Sequence, residues 1–167
     1  MGRLVTGLAH MSAMIGGLVL LAIILMTTTS IAGRMVGLGE INGNYEILEA
    51  GVAFAIFSFF PVCQLYGAHA TVDVFTSGLP PRPLAVLRAF WEVVLAAVII
   101  LIAWRLFGGV ERYWKNGETT LFLQFPVWWA YAASFAASII ACITAIYCAI
   151  ARVAEVASGR TIMPSEL

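Results

Sequence analysis

The chain has 167 residues, of which 62% are apolar and only 11% are charged, and its formal net charge is zero. Soluble domains of this size carry about 25% charged residues, so this composition excludes an ordinary soluble domain and indicates an integral membrane protein. The balanced charge gives no sign of a nucleic-acid partner.

Four apolar runs have the length of about 20 residues that a helix needs to cross a bilayer. We therefore predict an all-α integral membrane protein with four transmembrane helices, a single domain over residues 1–167, and short interfacial segments in the loops. Both termini are expected on the same side of the membrane. The first run is long enough that we expect a permanent span and not a cleaved signal peptide. The predicted spans are 9–32, 45–66, 88–110 and 126–151.

Basic residues give a weak indication of orientation, because cytoplasmic loops of membrane proteins are enriched in Lys and Arg. The face with the termini and the loop 67–87 has a slight excess, which favours cytoplasmic termini. That face carries Arg3, Arg82, Arg88, Arg152 and Arg160, and the other carries Arg34, Arg105, Arg112 and Lys115.

Two acidic residues, Glu46 and Glu49, open the second span and share a helix face because they are three positions apart. Arg105 lies near the same membrane face, toward the end of the third span. One hypothesis is an ion pair between Glu49 and Arg105. The alternative is that all three side chains reach to the interface.

Small residues recur on the fourth span at steps of three and four, which places them on one helix face. Such faces let helix backbones approach closely in lipid, so this span is predicted to pack against another helix of the chain or of another protein. The stripe consists of Ala130, Ser134, Ala137, Ala141 and Ala145.

The sequence lacks recognisable catalytic motifs: there is no apparent Ser-His-Asp set, H-E-x-x-H or glycine-rich phosphate loop, so we expect neither an enzyme nor a substrate or metal site in this chain. Two alternatives stay open. His10 and His69 could ligate haem in a cytochrome b-like anchor. Glu49 or Glu92 could serve a small self-contained exporter.

Three segments, in order along the chain, carry a family resemblance. GAHATVDVF at 67–75, followed by LPPRP, and GETTLFLQFPVWWAY at 117–131, with Gly117, Thr119 and Pro126, are its strongest parts. Arg34 after the first span and the acidic start of the second agree with it. Together these segments and the four-span layout resemble the small membrane subunit (DctQ-like) of TRAP, or tripartite ATP-independent periplasmic, transporters.

The resemblance implies a scaffold subunit of a sodium-coupled transporter in the bacterial inner membrane. Its partners would be a large many-span subunit, which would hold the sodium and substrate sites, a periplasmic solute-binding protein that delivers an organic anion, and membrane lipids. This chain would hold no cofactor. Arg34, Glu40 and the segment 111–125 would lie on the periplasmic face near a docking site. His69 and Asp73, with Arg82 nearby, would form a structural corner on the cytoplasmic side.

Overall fold

Four long helices make up almost all of the computed structural model, which describes residues 2–67 and 80–158. All four are long and apolar enough to cross a membrane. The prediction of an all-α protein with four spanning helices is confirmed. The helices are α1 (Gly2–Met35), α2 (Asn44–Leu65), α3 (Pro81–Asn116) and α4 (Trp128–Ser158).

The third helix is longer at both ends than the apolar run at 88–110 from which it was predicted. It begins at Pro81, because a proline in the first turn lacks an N–H that would have had no helical partner there. It ends at Asn116, and the next residue, Gly117, adopts φ 64° and donates its N–H to Tyr113 O at 3.1 Å. The apolar run indicates which part of the helix lies in the hydrocarbon layer, whereas the helix itself continues until a proline or a glycine ends its backbone hydrogen bonding.

The other three helices also differ from the apolar runs that predicted them, to different degrees. α2 agrees with the predicted span 45–66 to within one residue, since Gly43 at φ 77° directly precedes its start. α1 and α4 extend well beyond their predicted spans at the ends nearest the chain termini. α4 begins two residues after the predicted start, because Pro126 belongs to a β-bridge with Thr119.

The fourth helix occupies the centre of the bundle. It packs against α2 on one side and α3 on the other, and α1 packs mainly against α2. In the described residues no Cα atom of α2 or α1 comes within 8 Å of one in α3, so α4 joins the two halves. The predicted small-residue stripe lies inside this packing: Ala130 is half-buried, and the rest of the stripe is buried, namely Ser134, Ala137, Ala141 and Ala145.

Close approach of α1 and α2 depends on Gly16. A Cβ atom added there would lie 2.7 Å from the Cβ of Ser58, closer than real side chains come. Ser12, one turn earlier, donates its hydroxyl to the carbonyl of Ser58 at 3.0 Å. This helix pair thus combines a small residue with an interhelical hydrogen bond, a common arrangement in membrane proteins.

The bundle has two distinct ends. The terminal end holds the start of α1 and the end of α4, where Ala9, Leu65, Cys148 and Ala151 form one buried cluster. The loop end holds the two connections 36–43 and 117–127. Both described termini therefore lie at one end.

Candidate partner-binding surface

The connection 117–127 is a short hairpin-like loop. Thr119 and Pro126 form an antiparallel bridge, and Thr120 N–H donates to Phe125 O at 2.9 Å. Val127 N–H donates to Glu118 O at 3.0 Å. The predicted segment 111–125 is thus two structures: its first part, through Asn116, completes α3, and the remainder forms the hairpin.

Glu46 fixes the tip of this hairpin to the start of α2. Its carboxylate accepts the backbone N–H groups of Phe122 at 2.6 Å and Leu123 at 2.9 Å, one on each oxygen. Leu123 also packs directly over Gly43, where an added Cβ atom would collide with the leucine side chain. The loop therefore has a defined position relative to α2, although it lies at the edge of the bundle.

The other connection, 36–43, is tied back to α1. Ile41 N–H donates to the hydroxyl of Ser30 at 3.0 Å, and Leu38 N–H donates to the carbonyl of Gly33 at 2.9 Å. Arg34 lies 3.8 Å from Glu40 in an exposed ion pair.

The two connections together form what we call the loop-end surface, residues 34–43 and 117–127. Despite the hydrogen bonds that order its backbone, this surface exposes several large apolar side chains beside the Arg34–Glu40 pair. Ordered, exposed apolar groups with polar neighbours are typical of a surface that meets a protein partner or the membrane. The exposed apolar residues are Met35, Val36, Leu38, Ile41, Leu121, Phe122 and Leu123.

The hypothesis of a Glu49–Arg105 ion pair is not supported. Both side chains are exposed, and residues 2–67 and 80–158 contain no ion pair between them. The physical reason is that the backbones of α2 and α3 lie on either side of α4, with no Cα atom of one within 8 Å of a Cα atom of the other. Glu49 instead lines a cavity between the helices, which also contacts Tyr131 and Ser134.

The remaining predicted positions have separate structural settings. Gly117 ends α3, Thr119 and Pro126 bridge the hairpin, and Arg82 is exposed in the first turn of α3. His69 and Asp73 lie outside the described residues.

His10 makes contacts with both ring nitrogens. Nδ1 lies 2.8 Å from the carbonyl of Thr6, so Nδ1 must donate there. Nε2 then accepts from the hydroxyl of Tyr66, 3.3 Å away, and the two rings meet edge to face. This arrangement links α1 to the C-terminal end of α2. It also occupies Nε2, the nitrogen that a haem iron would need.

Two polar pairs at the terminal end, Gln64 with Glu92 and Arg152 with Glu155, were not predicted from the sequence. The Gln64 side-chain amide donates to the Glu92 carboxylate, which connects α2 to α3. Arg152 and Glu155 pair at 3.2 Å, with side chains only 14% and 13% exposed. The i,i+3 spacing of Arg152 and Glu155 could have predicted their pairing from the sequence. The described parts of the chain contain no group of three or more His, Cys, Asp or Glu residues able to hold a metal ion.

The family comparison covers most of the chain. Residues 23–155 match the family described as "Tripartite ATP-independent periplasmic transporters, DctQ component". No curated protein matches the chain at a significant level. The matched range takes in the C-terminal part of α1, all of α2 and α3, both connections and α4 almost to its end. The chain therefore belongs to the DctQ family, the small membrane component of tripartite ATP-independent periplasmic transporters.

Proposed function

We propose that this chain is the scaffold subunit of a sodium-coupled transporter for an organic anion. It supports the large subunit, which carries the sodium and substrate sites, and its loop-end surface helps to dock the solute-binding protein. The observation that carries the proposal is the combination of family membership with an ordered surface whose apolar side chains remain exposed. On this account the termini are cytoplasmic and the loop end is periplasmic, in the inner membrane, in line with the weak excess of basic residues near the termini.

The interior of the bundle supports a scaffold role more than a transport role. The centre of the bundle is filled by small side chains from α4 packed against Ala96, Ile99 and Phe60. A substrate pathway would need polar groups facing a midplane cavity. In the described residues the ionisable side chains lie toward the two ends, and Glu49 and Glu92 are no exception.

Docking can be tested with one substitution at each end of the bundle. Phe122→Asp places a charge on the loop-end surface, and Leu4→Asp places the same charge on a similarly exposed residue at the terminal end. We expect Phe122→Asp to lower binding-protein-dependent uptake at least tenfold, and Leu4→Asp to leave it within about twofold, since charge at the core of an interface costs on the order of 2 kcal/mol. Both variants should still co-purify with the large subunit.

Two results would count against the proposal. Uptake that survives Phe122→Asp would remove the docking role while leaving the scaffold role intact. A wild-type chain that purifies from its native host without a many-span partner would remove both.

A further inference from the structure

A cavity of about 320 Å³ lies between α2 and α3, beneath the hairpin loop. Its volume is near the lower end of the range found for small-molecule sites. Helix α4 forms its floor, through Ser134, because the backbones of α2 and α3 stay apart on either side of α4. The proposed docking role rests on the exposed tips of the loops, whereas this cavity lies beneath them and is lined on that side by Thr120, Phe125 and Val127.

The floor of the cavity contains a polar group with no partner. Ser134 is only 2% exposed, and its hydroxyl makes no hydrogen bond in the described structure. Neighbouring hydroxyls on the same helix are satisfied: Ser138 donates to Phe135 O at 2.7 Å, and Thr144 donates to Ile140 O at 2.9 Å. A buried hydroxyl without a partner is costly, so Ser134 indicates a ligand with a hydrogen-bonding group at this depth.

The rim of the cavity carries a negative charge. Glu49 and Glu46 both line it, but the Glu46 carboxylate is engaged by the backbone of Phe122 and Leu123. Glu49 makes no ion pair within residues 2–67 and 80–158 and has only oxygen acceptors to offer. The complementary ligand group is therefore a cation with N–H donors.

The lining of the cavity changes from polar to apolar with increasing distance from the loop end. Glu49, Thr120 and Tyr131 are near the loop end, whereas Ala53 and Phe57 follow Glu49 down α2 by about 6 and 12 Å, at 1.5 Å per residue. Aromatic rings mark the headgroup level of the bilayer beside the rim. They include the pairs Tyr113–Tyr131, with ring centroids 4.8 Å apart, and Trp114–Trp128, 4.6 Å apart.

We propose that this cavity receives the headgroup and the upper part of one acyl chain of a phospholipid with a primary ammonium headgroup. The ammonium pairs with Glu49, the Ser134 hydroxyl donates to an ester carbonyl, and an acyl chain lies against Ala53 and Phe57. A basic side chain from a partner helix would satisfy the carboxylate. Such a side chain has no acceptor for the Ser134 hydroxyl and no hydrocarbon beyond its charged group to fill the deeper part of the cavity. The order of polar and apolar groups along the cavity therefore favours a lipid.

The test uses the purified full-length chain in mild detergent. It is incubated with equal amounts of dioleoyl phosphatidylethanolamine, phosphatidylcholine and phosphatidylglycerol, and the retained lipid is identified by native mass spectrometry. We expect phosphatidylethanolamine to be retained preferentially, because the choline headgroup has no N–H donor and the glycerol lipid is anionic. Glu49→Gln should lower this preference roughly tenfold, the usual worth of a charge-assisted hydrogen bond. Ser134→Ala should lower retention of the ethanolamine lipid several-fold.

Two matched variants control for general effects. Glu40→Gln removes an exposed carboxylate at the same end of the bundle, where Arg34 is its partner. Ser138→Ala removes a buried hydroxyl one turn further along α4 that is already bonded within its helix. Both should retain the lipid preference of the wild-type chain. Circular dichroism of each variant shows whether the helices are intact.

Equal retention of the three lipids, or a preference unaffected by Glu49→Gln in a folded variant, would overturn the proposal. So would loss of the large subunit from both cavity variants with lipid retention unchanged, which would assign the cavity to a partner side chain. The proposal does not depend on the scaffold role, since lipid binding is measured on the chain alone and the scaffold role is measured by co-purification.

Discussion

The two ends of the bundle use charged residues in opposite ways. At the terminal end, Arg152 and Glu155 pair with side chains 14% and 13% exposed. At the loop end, Arg34 and Glu40 form a looser pair at 3.8 Å, with side chains 63% and 55% exposed. The same residue types thus form a largely shielded pair within α4 at one end and an exposed pair on an open surface at the other. This contrast is consistent with the proposal that the loop-end surface contacts the solute-binding protein.

The largest effect is expected at the terminal end, where Arg152→Ala leaves Glu155 in a poorly solvated position. Removing one member of a fully buried pair costs about 3 kcal/mol or more and disrupting an exposed pair about 0.5 kcal/mol, so for this partly buried pair we expect the free energy of unfolding in a denaturing-detergent titration to fall by about 2 kcal/mol. The double variant Arg152→Leu/Glu155→Leu should recover much of the loss, because apolar replacements of both partners restore packing. A small effect of Arg152→Ala would show that this end is not held by its charges.

A local effect is expected from Glu46→Ala at the loop end. The variant frees the backbone N–H groups of Phe122 and Leu123, so their hydrogen exchange should become faster, while the unfolding midpoint of the bundle changes little. Glu49→Ala provides the matched control, because this carboxylate contacts neither amide. Unchanged exchange at residues 122 and 123 would mean that the hairpin is ordered by its internal bridge alone.

The smallest effect is expected from Arg34→Ala, the counterpart of Arg152→Ala at the opposite end. Exposed ion pairs contribute about 0.5 kcal/mol or less, so the free energy of unfolding should change by no more than that. A loss comparable to that of Arg152→Ala would abolish the contrast between the two ends.

The sequence was sufficient for features that depend on local pattern and composition. Apolar runs gave four helices, and the steps of three and four on α4 identified a packing face that the structure buries. Pro80 and Pro81 mark the start of α3, and Gly117 directly follows its end. Predicting these features requires only the length, the hydrophobic period and the backbone preferences of each segment.

Contacts between segments could not be predicted in the same way. Glu46 binds amides 76 and 77 residues away, and Gln64 binds a carboxylate on a helix whose backbone does not approach its own. The Glu49–Arg105 hypothesis failed for the same reason. Such pairings depend on the rotation and order of the helices around α4, which the apolar pattern of any single helix does not determine.

The most direct test of the central claim is photo-crosslinking in native membranes. A photoreactive amino acid is placed at Phe122 on the loop-end surface or at Leu4 at the terminal end, and adducts with the solute-binding protein are identified by mass spectrometry. The account predicts an adduct from position 122, more abundant when the transported solute is present, and none from position 4. An adduct from position 4 without one from position 122 would contradict it.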